Sequence, residues 1–232
     1  MPERIAVFGG VSSNHLALEA GCRGARARGV EKLYCLGDLG AFGPHPDRVF
    51  PILERYGVLT IQGNYEESLA SGRLDCNCGY TDPRDNRFAQ IAYDYTAENT
   101  SQAAKRWMAD LPKTLRMKLG GRRVLMAHGS PRRINEFLWH STSPAPFLSR
   151  MLEQHATDLL LVDHTGLPWH RRLPGGDVVN VGSIGRPAND GNAHVNYALL
   201  TLGETLAVEF VPVAYDFEAL GREMREEKLP EG

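Results

Sequence analysis

The strongest constraint on this 232-residue chain is a recurring local pattern in which a short apolar run stops abruptly at small or polar residues. Arg4–Phe8 stops at Gly9-Gly10, Lys32–Leu36 at Gly37-Asp38, and Val58–Gln62 at Gly63-Asn64. Further along, Arg122–Ala127 meets His128-Gly129, and Asp158–Val162 meets Asp163-His164. Runs of this length bounded by glycine read as strands. Helical patterns from Leu16 to Arg28 and from Asp47 to Tyr56 lie between the early ones, and strands alternating with helices predict an α/β sheet. Loops past the carboxyl ends of such strands converge on one rim, where ligands bind.

After about residue 112 strands dominate. Gly120-Gly121 between Leu115–Leu119 and Arg122–Ala127 suits a hairpin turn. Asp177–Val181, Val195–Thr201 and Leu206–Val211 are further strand candidates. Thr100–Asp110 predicts a helix burying Ala103, Ala104, Trp107, Met108 and Leu111, and Asp216–Lys228 a charged surface helix or tail. The expected architecture is a four-layer α/β/β/α sandwich of two packed, mainly mixed sheets flanked by helices, in a single domain over residues 1–232.

The 26 Lys and Arg balance 28 Asp and Glu, a formal net charge of −2, with no basic clustering. That excludes broad nucleic-acid binding, which depends on counterion release by clustered cations. No apolar run reaches the roughly 20 residues that span a bilayer, so the expected location is cytoplasmic, without membrane attachment. Cys22, Cys35, Cys76 and Cys78 are too few and too irregular for a disulfide framework, so free thiols or metal ligands are expected. Cys22 and Cys35, inside helix and strand patterns, read as small buried hydrophobes.

Four polar groups sit just past strands: Asp38, Asn64, His128 and His164. One carboxylate, one amide oxygen and two imidazoles make a mixed N/O set suited to Zn, Mn or Fe as divalent ions. Each alone is equally a capping Asp, a turn Asn or a satisfied histidine; the combination carries the signal.

That combination resembles the calcineurin-like metallophosphoesterases, whose short motifs follow successive strands. Gly37-Asp38-Leu39 through Gly43-Pro44 is similar to the family's Gly-Asp block, Gly63-Asn64-Tyr65-Glu66 to its Gly-Asn-His-Asp/Glu block, and His128-Gly129-Ser130-Pro131 to its His-Gly block. Asp163-His164-Thr165-Gly166 falls on the Gly-His-Thr-His block, and Val179-Asn180-Val181-Gly182-Ser183-Ile184-Gly185 is similar to the Asn-Pro-Gly-Ser-Val-Gly turn common in small bacterial members. The resemblance implies Asp38, Asn64, His128 and His164 as ligands of the second of two metals. It also shows what is missing, because Gly10, Ser12 and Gly166 stand where the ligands private to the first metal would be. Tyr65 occupies the place of the catalytic histidine, and a phenol with an ordinary pKa near 10 matches proton transfer at neutral pH less well than imidazole.

The implied function is a metal-dependent phosphoesterase, acting on a small phosphorylated mono- or diester through at least one ion, with Asn64, Tyr65 and His128 as catalytic candidates. The alternative is a catalytically impaired relative that binds a phosphoryl ligand in a regulatory role. Cys76 and Cys78 are candidates to supplement the site, as are Asp163, Asp75 and His170. Phosphate contacts are expected from Gly10 and Ser12, in the strand-loop-helix start at Gly9–Asn14, and from among Arg84, Arg87, Arg132, Arg133, Arg171 and Arg186.

Overall fold

The apolar runs pair into two five-stranded mixed sheets in the computed structural model, which describes residues 2–229. The first sheet is built around β1 (Glu3–Phe8), flanked on one side by β2 (Lys32–Cys35) and β3 (Leu59–Thr60). β1 and β2 are parallel, with Ile5 opposite Lys32. On its other side β1 runs antiparallel to β9 (Val195–Leu202), which pairs with β10 (Leu206–Val213). The second sheet follows the order β4 (Thr114–Leu119), β5 (Arg122–Ala127), β6 (Leu159–Val162), β8 (Gly176–Asn180) and β7 (Trp169–Leu173). β5, β6 and β8 are parallel, so their carboxyl ends lie together.

Strand alternation divides the side chains between layers. Ile5 and Val7 of β1 meet Met126, Leu161, Val179 and Leu200 between the sheets. Ala6 and Phe8 point outward, against Leu18 and Cys22 of α1 (His15–Ala27) and Ile52 and Leu53 of α2 (Phe50–Tyr56). On the far side Leu125, Leu160 and Val178 pack on Leu148 and Leu152 of α6 (Ala145–Gln154). Most of these side chains are completely buried, and each leucine, isoleucine, valine, phenylalanine or methionine among them stabilises the fold by about 1.5–3 kcal/mol. Beside the sandwich, α3 (Asn64–Ser71), α4 (Pro83–Asn99) and α5 (Gln102–Ala109) share a core of Tyr65, Leu69, Tyr93 and Met108. A last helix, α7 (Phe217–Glu226), follows β10. Among the described residues no helix is long and apolar enough to cross a membrane.

The hairpin turn is as expected: Gly120 and Gly121 take φ of 52° and 83° between the antiparallel β4 and β5. Other elements differ from their patterns for local reasons. The expected Val58–Gln62 strand shortens because the Gln62 amide turns away to the Pro112 carbonyl. The expected helix from Asp47 splits into a 3₁₀ turn, Pro46–Val49, and then α2, at whose start Pro51 has no amide to donate. Trp107, expected in the core, is 39% exposed and packs edge-on against Phe50. Met108 takes the buried place beside it.

One glycine lets the loops after β2 and β3 meet. Gly37 has φ of 93°, and a β-carbon there would lie 2.2 Å from the Gly63 amide nitrogen. Gly37→Ala should therefore destabilise the protein by about 1–3 kcal/mol, the usual cost of overpacking, measured as a lower urea midpoint.

Candidate metal centre

Strand ends deliver the polar groups to one point. Asp38 follows β2, Asn64 opens α3 after β3, His128 follows β5, and His164 follows β6. His128 lies at the centre: its Nε2 is 3.1 Å from Asn64 Oδ1, 3.1 Å from His164 Nδ1 and 3.2 Å from Asp38 Oδ2. Asp38, His128 and His164 each present a ligand atom within 4.8 Å of the others.

The tautomers make this arrangement informative. His128 Nδ1 lies 2.7 Å from the Leu36 carbonyl, and His164 Nε2 lies 3.1 Å from the Cys78 carbonyl. A carbonyl can only accept, so each of these nitrogens carries the proton. The inward nitrogens of both neutral rings are then lone pairs, facing a carboxylate oxygen and an amide oxygen. Four acceptors around one point repel unless a cation sits among them. The donor set therefore fits a divalent ion, with the carbonyls accepting from the far ring nitrogens and so fixing the orientation of both imidazoles, as such partners do in metal sites.

Without a cation, a proton takes part of that role. Burial works against the imidazolium of His128, but the Asp38 carboxylate beside it prevails and raises its pKa to about 9. His164 is half-buried, and desolvation and then that positive charge lower it to about 4. Burial opposes ionisation of Asp38, yet the charge of His128 outweighs it and holds the carboxyl below its ordinary value.

The loops are held in unusual backbone conformations. Asp38 and His164 have φ of 51° and 58°, in the left-handed region that non-glycine residues seldom occupy. The buried Glu66 explains how Asp38 stays there: its carboxylate accepts from the amides of Asp38, Leu39 and Gly63, at 2.7–2.8 Å. One side chain thus joins the Gly-Asp and Gly-Asn loops. Burial, and then the Asp38 charge, lift Glu66 to about 7. The sequence signal for it was the fourth residue of the Gly63-Asn64-Tyr65-Glu66 block. Asn180 does the same for His164, donating to the Asp163 carbonyl and Thr165 Oγ1.

Several expected contributors are placed differently. Cys76 and Cys78 are joined to each other as a disulfide, so neither sulfur is a thiolate available to a metal. Their segment acts through its backbone: the Cys76 carbonyl accepts from Asn64 Nδ2 at 2.8 Å, and the Cys78 carbonyl holds His164. That contact leaves the Asn64 oxygen, and not its amide hydrogens, facing the centre. Cys22 and Cys35 are free and buried. His170 is not on a returning loop; it lies in β7 and pairs with Asp177 at 2.7 Å. Asp75 is exposed and accepts from the Asn77 amide.

The phosphate candidates separate too. Arg171 donates to the carbonyls of Ser143 and His140, and Arg132 pairs with Glu136 and stacks on Phe147, so neither lines the pocket beside the donors. The amides after β1 are already used: Gly10 donates to Asp163, and Val11 and Ser12 donate to the Asp38 carbonyl. The pocket is nevertheless bordered by Gly10, Ser12 and Gly166. Asp163 reaches this space, with Oδ2 at 3.6 Å from where a Gly10 β-carbon would lie and Oδ1 buried without a partner. Burial raises its pKa to about 7. Tyr65 is buried, its hydroxyl lacks a partner, and burial beside Asp38 raises its pKa.

Residues 4–205 match the calcineurin-like phosphoesterase superfamily domain, and the chain belongs to that superfamily. It is 24% identical to an uncharacterized protein of Methanocaldococcus jannaschii, over 98% of this chain and 94% of that one. Among solved structures it is similar to a hypothetical protein from Pyrococcus horikoshii, with 25% identity, a TM-score of 0.80, and coverage of 98% of this chain and 94% of the other. A metallophosphoesterase from Sphaerobacter thermophilus is similar at 25% identity and a TM-score of 0.74, covering 100% and 96%.

The raised pKa of His128 gives a pH signature. A group whose pKa rises on folding contributes stability that is complete below its unfolded value, near 6.5, and is lost as pH climbs through its folded value, about 9. Chelator-treated protein should melt at progressively lower temperature between pH 6.5 and 9, whereas protein saturated with Mn²⁺ should change less over the same range. Parallel thermal melts check this.

Proposed function

We propose that the protein is a metal-dependent phosphoesterase whose Asp38, Asn64, His128 and His164 hold a single divalent ion. The observation that carries this reading is the convergence of four acceptor atoms beside the buried His128, at the edge of the pocket. Bound there, a divalent ion would supply Lewis acidity toward a phosphoryl oxygen and lower the pKa of a water molecule. The chain's own groups do the rest. Leu36 and Cys78 hold the two imidazoles in the tautomers that face the centre, and Glu66 keeps Asp38 in place. Tyr65, at the position of the family's histidine, can donate a hydrogen bond to a phosphoryl oxygen but holds its proton too tightly to release it near neutral pH.

A mixed imidazole, amide and carboxylate set suits Zn²⁺, Mn²⁺ or Fe²⁺. A second reading, that of a phosphoryl-binding regulator with little turnover, is favoured by Gly10, Ser12 and Gly166 at the first-metal positions and by Tyr65. Hydrolysis separates the two. Purified protein should rebind one divalent ion per chain and hydrolyse a generic phosphate monoester or diester. His128→Ala should lose the ion and reduce turnover at least about 100-fold, a scale reached even when only a hydrogen-bond partner of a metal ligand is removed. Ligand-induced stabilisation by inorganic phosphate without any turnover would support the regulator instead.

A further inference from the structure

Gly10, Ser12 and Gly166 offer no charge to an anion on their side of the pocket, so a phosphate there is held by whatever cationic or hydrogen-bond donors line it. The space between Gly10, Ser12 and Gly166 is also lined by Tyr65 and Arg186. The guanidinium of Arg186 lies 4.3 Å from the centroid of the Phe42 ring, and among the described residues it has no carboxylate partner. An arginine stacked on an aromatic face keeps its in-plane N–H donors free while losing much of its rotamer freedom.

Its backbone is fixed against the same strand end that lost the ligands. The Gly185 amide donates to the Gly10 carbonyl at 2.8 Å, and the Gly185 carbonyl accepts from Asn14 Nδ2 at 2.9 Å. Ser183 Oγ accepts from the Arg186 amide and donates to the Gly10 carbonyl. Gly185 permits this contact, since a β-carbon there would lie 2.1 Å from the Val11 carbonyl oxygen. The loop after β8 therefore places Arg186 beside Gly10 and Ser12 by packing as well as by hydrogen bonds. Tyr65 contributes a second unsatisfied donor, a buried hydroxyl with no partner in the same pocket.

We infer that Arg186, with the Tyr65 hydroxyl, binds the phosphoryl oxygens on the side of the pocket where relatives would place a first metal. A guanidinium carries a permanent positive charge and needs no carboxylate ligands, which is consistent with a pocket that has glycine at two of the three ligand positions. The inference rests on the proposed phosphoesterase reading for its substrate but concerns binding, and the two fail separately.

The test is calorimetric binding of inorganic phosphate to Mn²⁺-loaded protein, alongside Mn²⁺ stoichiometry and steady-state kinetics on a generic phosphate ester. Arg186→Ala should weaken phosphate binding at least 10-fold and raise KM, with Mn²⁺ stoichiometry unchanged. Arg186→Lys should recover part of the loss, and Tyr65→Phe should weaken phosphate less. Arg150→Ala, at an exposed position outside the pocket, should match wild type. Wild-type phosphate affinity in Arg186→Ala, or no phosphate binding by the loaded wild type, overturns the inference. Phosphate binding that depends on Arg186 without any hydrolysis leaves it standing and overturns the enzymatic reading. Hydrolysis whose KM and phosphate affinity ignore Arg186 does the reverse.

Discussion

Everything in the rim depends on one electrostatic constraint: His128 Nε2 faces a second imidazole nitrogen, a carboxylate oxygen and an amide oxygen, each 3.1–3.2 Å from it. Such an arrangement is costly without a cation, since buried acceptors that face only acceptors lose their hydrogen bonds to water. The protein nevertheless builds it with several supports. Two main-chain carbonyls set the ring tautomers, Glu66 clasps three amides, and two residues hold left-handed backbone conformations. Strained backbone persists only where its surroundings over-determine it, and such places cluster at functional sites.

The fold supplies these supports cheaply because both sheets end at the same edge. Parallel pairing of β1 with β2, and of β5 with β6 and β8, puts the loops after those strands side by side. The interior between the sheets is apolar and tightly alternating, so register is fixed; a one-residue slip would turn Ile5 and Val7 away from Met126, Leu161 and Val179. Loop position then follows from core packing. Gly37 shows how closely two of those loops approach, with room for a hydrogen but not for a methyl group.

Most strands and the four donors were legible in the sequence because their signals are local: an apolar run that stops at a polar residue, with a glycine between them before Asp38 and Asn64. The Gly120-Gly121 hairpin was legible for the same reason. What failed was non-local. α3, α4 and β7 lack strong periodicity of their own and are defined by what they pack on; α4, for instance, buries only Ala89, Tyr93 and Thr96. Cys76 and Cys78 read as ligands because their spacing suits a soft ion, but spacing does not show that their sulfurs bond to each other while their carbonyls orient Asn64 and His164. Arg171 and Arg132 looked equivalent to Arg186 in sequence. Only the fold separates an arginine spent on the Ser143 carbonyl from one stacked on Phe42 in the pocket.

The most direct test of the central claim is X-ray absorption at the metal edge of Zn²⁺-loaded protein. The account predicts a first shell of nitrogen and oxygen only, at about 2.0–2.2 Å, with outer-shell scattering from two imidazoles. A sulfur shell at about 2.3 Å would contradict it by placing Cys76 or Cys78 on the metal, as would a shell lacking imidazole.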